Sequence, residues 1–323
     1  MKKILHITNA YPYEGHPEYG CFIKEQIESI SALVLNSVLF VNAHRDGKKA
    51  YFEAIKSIRE LATEADLVHC HHVFSFILFK LSGVRDKPVV LSFLNDWTKE
   101  IKFNVPEFLK GVICRTACLL SDKVIFKSFV PSQLNGSKFT YLPNGVDENT
   151  FNIIERAQAK SQLGLDLEKD YVLFVSSKNL YRKQKRYDIF TETMKQLNHI
   201  YPGRYCELTM SIDDRTTALL KFNAASLHYL SSDYEGSPNS VKESLSCGTP
   251  VITRQAGSAS DLVDSVASCF VIDDFDAKLV AKKIDDIVSS DVDRELIRRQ
   301  FLAKGFTKEA TAEKLVNIYS EFV

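Results

Sequence analysis

The sequence predicts an α/β protein made of two parallel-sheet domains, and three observations carry that expectation. Apolar runs of strand length alternate with amphipathic runs of helix length along the chain, the pattern of βαβ units. The alternation breaks at the turn-rich stretch "PNGVDENTF" (143–151) and then restarts. The 323 residues exceed one typical domain.

The elements follow in order. "KILHIT" (3–8) is a strand, succeeded by a loop through Gly15 and Gly20 and a helix near 22–33. "SVLFVN" (37–42) is the next strand, and "YFEAIKSIRELATEA" (51–65) a helix with apolar Phe52, Ile55, Ile58 and Leu61. "DLVHCHH" (66–72) and "PVVLSFL" (88–94) are strands with a helical stretch at 75–81 between them. A helix-rich region at 103–120 leads to the strands "KVIFKS" (123–128) and "FTYLP" (139–143). After the break come the strand "YVLFVSS" (171–177), the helix "YDIFTETMKQLNHI" (187–200) and the strand "CELTMSI" (206–212). "LKFNAASLHYLSS" (220–232) passes from a short helix into a strand. The strands "TPVITR" (249–254) and "CFVI" (269–272) flank a helix at 258–264, and helices at 277–289, 293–304 and 307–322 end the chain. The expected domains are 1–147 and 148–306, with the helix at 307–323 packing back on the first. In open α/β sheets ligands sit beyond the carboxyl ends of the strands, so polar residues just after strands are the candidates.

Composition narrows the function classes. At 45% hydrophobic and 25% charged residues, this is the make-up of a soluble globular protein. Forty-one basic residues balance 41 acidic ones, so no overall field favours nucleic acid. The seven cysteines form no CxxC pair and no metal spacing, and read as reduced thiols in a cytoplasmic setting. No apolar run approaches a membrane span of roughly 20 residues, and the opening "MKKILHITNAYP" has too short an apolar run for a signal peptide.

The stretch "DYEGSPNSVKESLSCGTPVI" (233–252) is the least ordinary part of the chain. Ser237 is placed to cap a helix that carries Pro238 at its first position, runs to about Ser246 and stops at Gly248. The free N–H groups of such a helix face the end of the preceding strand and suit a phosphate or sugar hydroxyls. Glu235 lies in the loop before the helix and Glu243 more than a turn inside it. On spacing alone the favoured reading of both is as solvated residues of a capped surface helix. Three details favour a site: the position of Glu235 after a strand, the close approach that Gly236 permits, and the apolar strand that follows.

The segment "EGSPNSVKESLSCGTPVI" resembles the donor-binding segment of family 4 retaining glycosyltransferases. These have the GT-B fold, two Rossmann-like domains facing across a cleft. The family signature is E-x7-E followed by small residues and Gly-x-Pro-Val, matched by Glu235, Glu243, Gly248, Pro250 and Val251. "ITNAYPYEGHPEYGCFIKEQIESI" is similar to the family's opening strand and glycine loop, with Gly20 where backbone N–H groups approach a phosphate or acceptor. "DLVHCHH" and "YLPNGVDENTF" resemble its Asp-x-x-His-x-His strand and hinge opening. "VSSKNLYRKQKRYDIF" looks like the loop whose basic side chains bind the nucleotide diphosphate: Lys185 matches the family lysine, Lys178 falls near the family arginine, and Arg182 competes with it.

The resemblance implies a hexosyltransferase-type enzyme moving a sugar from a nucleotide-sugar to a hydroxyl of a growing glycan, as in bacterial surface polysaccharide synthesis. Glu243 would accept the ribose hydroxyls, Glu235 would lie near the donor sugar, and Ser237, Asn239 and Ser240 would offer backbone donors beside Gly236 and Pro238. Fixed cations and helix N–H groups would stabilise the departing diphosphate, so no cofactor and no metal is expected. One departure is visible: "SFLNDW" supplies Asn95 and Asp96 where relatives carry a histidine. Asp96 is kept as a catalytic candidate, and Asn95, His71 and His72 as acceptor or cleft candidates, although for either histidine a residue satisfied inside the domain is the favoured single reading. The acceptor would be a glycan or lipid-linked glycan. The mixed basic and apolar stretch 99–120 suits peripheral contact with the inner face of the cytoplasmic membrane and, equally, an ordinary half-buried helix. The rivals are another GT-B enzyme, such as a phosphorylase, and a non-catalytic nucleotide-sugar binding protein.

Overall fold

The computed structural model describes residues 1–322 except 17, 18, 96, 98–100, 102–105, 178, 274, 275 and the side chain of His44. The chain forms two units, Met1–Asn144 with Lys308–Val323, and Gly145–Thr307. Each is built on its own parallel sheet.

In the first unit the strands are β1 (Lys3–Thr8), β2 (Leu35–Phe40), β3 (Leu67–His71), β4 (Val89–Phe93), β5 (Lys123–Phe126) and β6 (Phe139–Tyr141). They lie in the order β2-β1-β3-β4-β5-β6, every neighbouring pair parallel. Helices α1 (Cys21–Ser29), α2 (Ala43–Asp46), α3 (Lys49–Ala62), α4 (Val73–Leu81) and α5 (Glu107–Leu120) connect them. β3 and β4 are buried throughout, as parallel strands covered on both faces must be. One face carries Leu5, Ile7, Val68, Cys70, Leu91 and Phe93 into a core with α3, α4 and α5. The stripe on α3 differs from the expectation. Ala50, Ala54, Ile58 and Ala62 are buried, whereas Phe52 is 78% exposed and Leu61 37%. Spacing of four puts the alanines on one side, and their small side chains fill the face that the larger residues were expected to fill.

The opposite face begins apolar. Ile4, Leu67, Val90 and Ile125 pack on Ala312, Leu315, Ile318 and Tyr319 of the C-terminal helix, numbered α13 (Lys308–Ser320) in the full order. Two positions further along the same strands the face turns polar, with His6, His69, Ser92 and Lys127, and then His71. All are at most 1% exposed. Hydrogen bonds tie the three imidazoles into this layer. Asn36 Nδ2 donates to Ile27 O and Ser31 Oγ, turning Oδ1 towards His6 Nε2 at 3.0 Å, so that nitrogen carries the proton. His6 Nδ1 then accepts from His71 Nε2 at 2.9 Å. His69 joins Tyr319 Oη at 2.6 Å and Ser92 Oγ at 2.7 Å.

The second unit contains β7 (Asp170–Val175), β8 (Tyr205–Met210), β9 (Leu227–Leu230), β10 (Val251–Thr253) and β11 (Phe270–Val271). Their order is β11-β10-β9-β7-β8, again parallel. Its helices are α6 (Arg156–Gln162), α7 (Tyr187–Ile200), α8 (Arg215–Ala224), α9 (Asn239–Ser246), α10 (Ala259–Val263), α11 (Ala277–Val288) and α12 (Arg294–Leu302). Two apolar clusters, one around Leu173 and Leu245 and one around Phe174 and Phe190, cover the sheet's faces. The strand order reverses between β7 and β9. Ligands gather at such a switch point, because adjacent loops leave it in opposite directions.

Four buried imidazoles make the fold acid-sensitive. Burial pulls the pKa of His6 down to about 4 and that of His228 to about 3, the latter helped by the Lys185 charge. His69 and His71 fall well below the usual histidine value, by burial first and then by neighbouring imidazoles and Lys127. The unfolded chain takes up protons below pH ~6.5, which the folded chain refuses. Stability is therefore full above pH ~6.5 and declines as pH falls towards 4, by up to about 1.4 kcal/mol per pH unit for each imidazole. Urea unfolding at pH 7.5, 6.5, 5.5 and 4.5 checks this, and a flat free energy of unfolding across that range contradicts it.

Candidate donor site in the second unit

The site grows out of the two loops at the switch point. After β7 the chain passes through a 3₁₀ turn (Lys183–Lys185) into α7, with Arg186 in the left-handed conformation between them. After β9 it runs through Ser231 and Ser232 to Glu235 and then α9. The loops are stitched by Ser231 Oγ, which donates to the carbonyls of Lys185 and Arg186, and by Asp233 N, which donates to Gln184 O at 2.9 Å. Lys185 Nζ consequently meets Glu235 Oε1 at 2.7 Å, and Ser232 Oγ donates to the same oxygen at 2.7 Å. The two charged side chains are 9% and 12% exposed. Beside them, Arg186 and Arg254 both pair with Asp233, at 3.1 and 2.6 Å.

Helix α9 starts one residue later than its sequence suggests. Pro238 is the N-cap and Asn239 the first helical residue. The Ser237 hydroxyl does not cap the helix, because it accepts from Lys242 Nζ at 3.1 Å. Lys242 is fully buried, which places an ammonium beside the first turn of α9. The other end is closed as expected by Gly248, at φ +68°. Thr249 N donates to Ser244 O and Gly248 N to Leu245 O, a Schellman ending. Two arginines of α12 finish the job. Arg294 Nη2 donates to Cys247 O at 2.7 Å, and Arg298 Nη1 donates to Ser246 O. Cations at a helix C-terminus favour its dipole and hold its axis.

A third loop fixes Glu235 from behind. Ser258 N donates to Gly236 O at 3.0 Å. Gly257 has φ +59°, and a Cβ there would stand 2.3 Å from Gly236 O and 2.4 Å from Glu235 O. Only glycine allows that approach. Glu243, on α9, has its Oε1 bound by Arg215 Nη1 at 2.7 Å.

The remaining expected residues are placed as follows. Arg182 is half-buried and donates to Ser177 Oγ at 3.0 Å. Gly236, Pro238 and Ser240 are buried in the α9 approach, and Asn239 is half-buried with its Oδ1 sequestered and unbonded. Lys178 and Asp96 lie outside the described residues. In the first unit, Gly20 caps α1 at φ +70°, where a Cβ would meet Ala10 C at 2.4 Å. Its glycine is demanded by its own loop. Asn95 is exposed after β4. His72 caps α4, accepting from Phe74 N at 3.0 Å, with φ 147° and ψ 148°. His71 lies inside the domain and not in a cleft: strand alternation puts it on the same face as His69, fully buried in the polar layer. Among the described residues, the one histidine, cysteine or carboxylate group able to hold a metal is His6, His69 and His71, with ring nitrogens within 4.8 Å of one another. All of these ring nitrogens except His71 Nδ1 already bond one another, Asn36, Ser92 or Tyr319, and the Lys127 charge bears on His69 and His71 and opposes a further cation.

Sequence reasoning missed Ser232, Lys242, Arg215, Arg254, Arg294, Arg298 and Gly257. A small clue marked only one of them. Gly257 follows the strand after E-x7-E, where a tight turn is needed.

Comparison with known proteins fits this geometry. Residues 209–301 match the protein family described as Glycosyl transferases group 1, a stretch that contains Arg215, Glu235, Glu243, Gly257 and Arg294. No curated protein matches the chain in sequence. Among solved structures, sucrose-phosphate synthase from Thermosynechococcus elongatus is similar at a TM-score of 0.75 and 14% identity, over 99% of each chain. HepE from Anabaena, in complex with UDP and glucose, is similar at 0.73 and 14%, over 99% of this chain and 100% of that one. A glycosyltransferase from Rickettsia africae ESF-5 is similar at 0.70 and 14%, over 99% of this chain and 98% of that one. These likenesses establish the fold, α/β with two parallel sheets of the GT-B kind, and the matched domain makes the chain a glycosyltransferase.

The role of Gly257 has a direct check. Gly164 has a similar φ of +66° but open space around it, so Gly164→Ala carries only the left-handed penalty of about 1–2 kcal/mol. Gly257→Ala must also push the Glu235–Gly236 backbone away and costs distinctly more in urea unfolding. Equal costs for the two variants would show that close approach is not what requires glycine at 257.

Proposed function

We propose that the chain is a family 4 retaining glycosyltransferase that moves a sugar from a nucleotide-sugar donor to a hydroxyl of a growing glycan in bacterial surface polysaccharide synthesis. The observation that carries the reading is the meeting of Lys185 and Glu235 at the switch point of the second unit, in front of α9. The group 1 domain over 209–301 and the UDP held by the similar HepE structure support a nucleotide-sugar as donor.

Each residue then has a physical task. The loop after β7 and the first turn of α9 present Lys185, Arg182 and backbone N–H groups to the diphosphate, and the buried Lys242 adds positive charge beside Ser237. These groups stabilise the negative charge that develops as the nucleoside diphosphate departs. Glu235 is held by Lys185 and Ser232, facing the donor sugar, and Glu243 takes the ribose hydroxyls. Lys178 and Asp96 stay in this proposal as sequence-based candidates. With cations in place of a divalent ion, the reaction needs no metal. The first unit takes the acceptor. Exposed Phe108, Val112 and Leu119 with Arg115 on α5 support peripheral contact with the inner face of the cytoplasmic membrane. No helix among the described residues is long and apolar enough to cross one.

A thermal-shift panel of nucleotide sugars identifies the donor: at 100 times its Kd a ligand adds about 2.7 kcal/mol to apparent stability. Lys185→Ala should then lower turnover at saturating donor by roughly a hundred-fold, while exposed Lys183→Ala stays within a few-fold. Initial rates of nucleoside diphosphate release, read alongside melting curves, decide it. Parental turnover in Lys185→Ala removes that residue from the diphosphate site. Turnover should also persist in EDTA, and loss that manganese or magnesium restores overturns the metal-free reading.

A further inference from the structure

The carboxylate of Glu243 is positioned by a residue from another helix. Arg215 is the first residue of α8, directly after the N-cap Asp214, which accepts from Thr217 N at 2.8 Å. Its guanidinium lies 5.0 Å from the centre of the Phe151 ring and donates to Glu243 Oε1 at 2.7 Å. The floor beneath it is rigid. Phe151 is fully buried, and its carbonyl accepts from both Ser246 Oγ and Arg298 Nη1, at 2.6 and 2.7 Å. Ser246 belongs to α9, so the arginine, its aromatic support and the glutamate are tied to one helix. Arg215 is 46% exposed at its side chain and Glu243 13%.

We infer that Arg215 is a specificity-determining residue that acts through Glu243 and makes the site select ribonucleotides over 2′-deoxyribonucleotides. The inference rests on the reading of Glu243 as the ribose ligand. A carboxylate recognises two vicinal hydroxyls only if it is ionised and correctly turned about its terminal torsion, which is broad in an untethered glutamate. A guanidinium on one oxygen meets both conditions. It favours the charged form and removes the torsional freedom. The cation–π contact with Phe151 keeps the guanidinium itself from wandering. Hydrogen bonds to such a prepared acceptor are charge-assisted, so loss of the 2′-hydroxyl is expected to weaken binding by about ten-fold or more.

A clamp that merely joined α8 to α9 would alter stability and leave this selectivity unchanged, which makes selectivity the discriminating readout. Calorimetry with UDP, GDP and ADP identifies the tightest nucleotide, and its 2′-deoxy form supplies the ratio of affinities. The parent protein should favour the ribonucleotide about ten-fold or more. Arg215→Met should bring the ratio to about three-fold or less through weaker ribonucleotide binding. Its donor KM should rise while kcat stays within about two-fold, as for an interaction made equally in the ground and transition states. Should Arg215→Met not fold, Arg215→Gln, which keeps a donor but no charge, is read by the same ratio. A parental ratio in the folded variant, with the ratio abolished in Glu243→Gln, overturns the role of Arg215 and leaves Glu243 as the ribose ligand. A parent with no ribose preference, or Glu243→Gln with unchanged affinity, overturns both.

Discussion

The second unit depends on the reversal of strand order between β7 and β9, and the Lys185–Glu235 ion pair is its chemical expression. The partners are 50 positions apart in sequence and meet at 2.7 Å because the strands before them are neighbours. With both charges mostly out of water, neither can lose its partner cheaply: an uncompensated buried charge typically costs about 3–5 kcal/mol. The loops after β7 and β9 are thus bound to a common geometry, which Ser231 and Asp233 reinforce through backbone bonds. Gly257 brings up a third loop, and the arginines of α12 hold the far end of α9. The result is a helix N-terminus, a carboxylate and an ammonium fixed with respect to one another before any ligand arrives, the condition for electrostatic preorganisation.

Much of this was legible along the chain. Alternation of strand and helix patterns located β1, β7 and α7 closely, the strands as short runs that are buried nearly throughout and the helix by its long apolar periodicity. The E-x7-E segment marked α9 and its closing Gly248. What escaped was whatever depends on a distant partner. Ser237 reads as an N-cap until Lys242 takes its hydroxyl. Nothing near Ser246 or Cys247 announces that α12 will supply Arg294 and Arg298. Arg215 looks like an ordinary residue at a helix start, because the glutamate it orients is 28 positions away. On α3, periodicity gave the helix but not the buried side, since alanines pack against the sheet while Phe52 points outward.

The two units solve the burial of polar groups differently. In the first, imidazoles, hydroxyls and the Asn36 amide share hydrogen bonds under α13, with the buried Lys127 as the one charged side chain named beside them. In the second, charged side chains are paired at the mouth of the sheet, where solvent still touches them. The first arrangement suits a core that must stay fixed. The second keeps charged donors and acceptors within reach of a ligand.

Helix α13 completes the first unit although the chain reaches it only after all of the second. Ala312, Leu315, Ile318 and Tyr319 cover Ile4, Leu67, Val90 and Ile125, and Tyr319 satisfies His69. On the ribosome, where residues emerge from the N-terminus onwards, the second unit has its entire sequence available before the first can close. The first unit's sheet therefore waits, with one apolar face and its histidines uncovered, until α13 has emerged. A nascent chain whose residues 145–307 have emerged while α13 is still inside the ribosome would hold a finished second unit and an unfinished first, with that apolar face exposed.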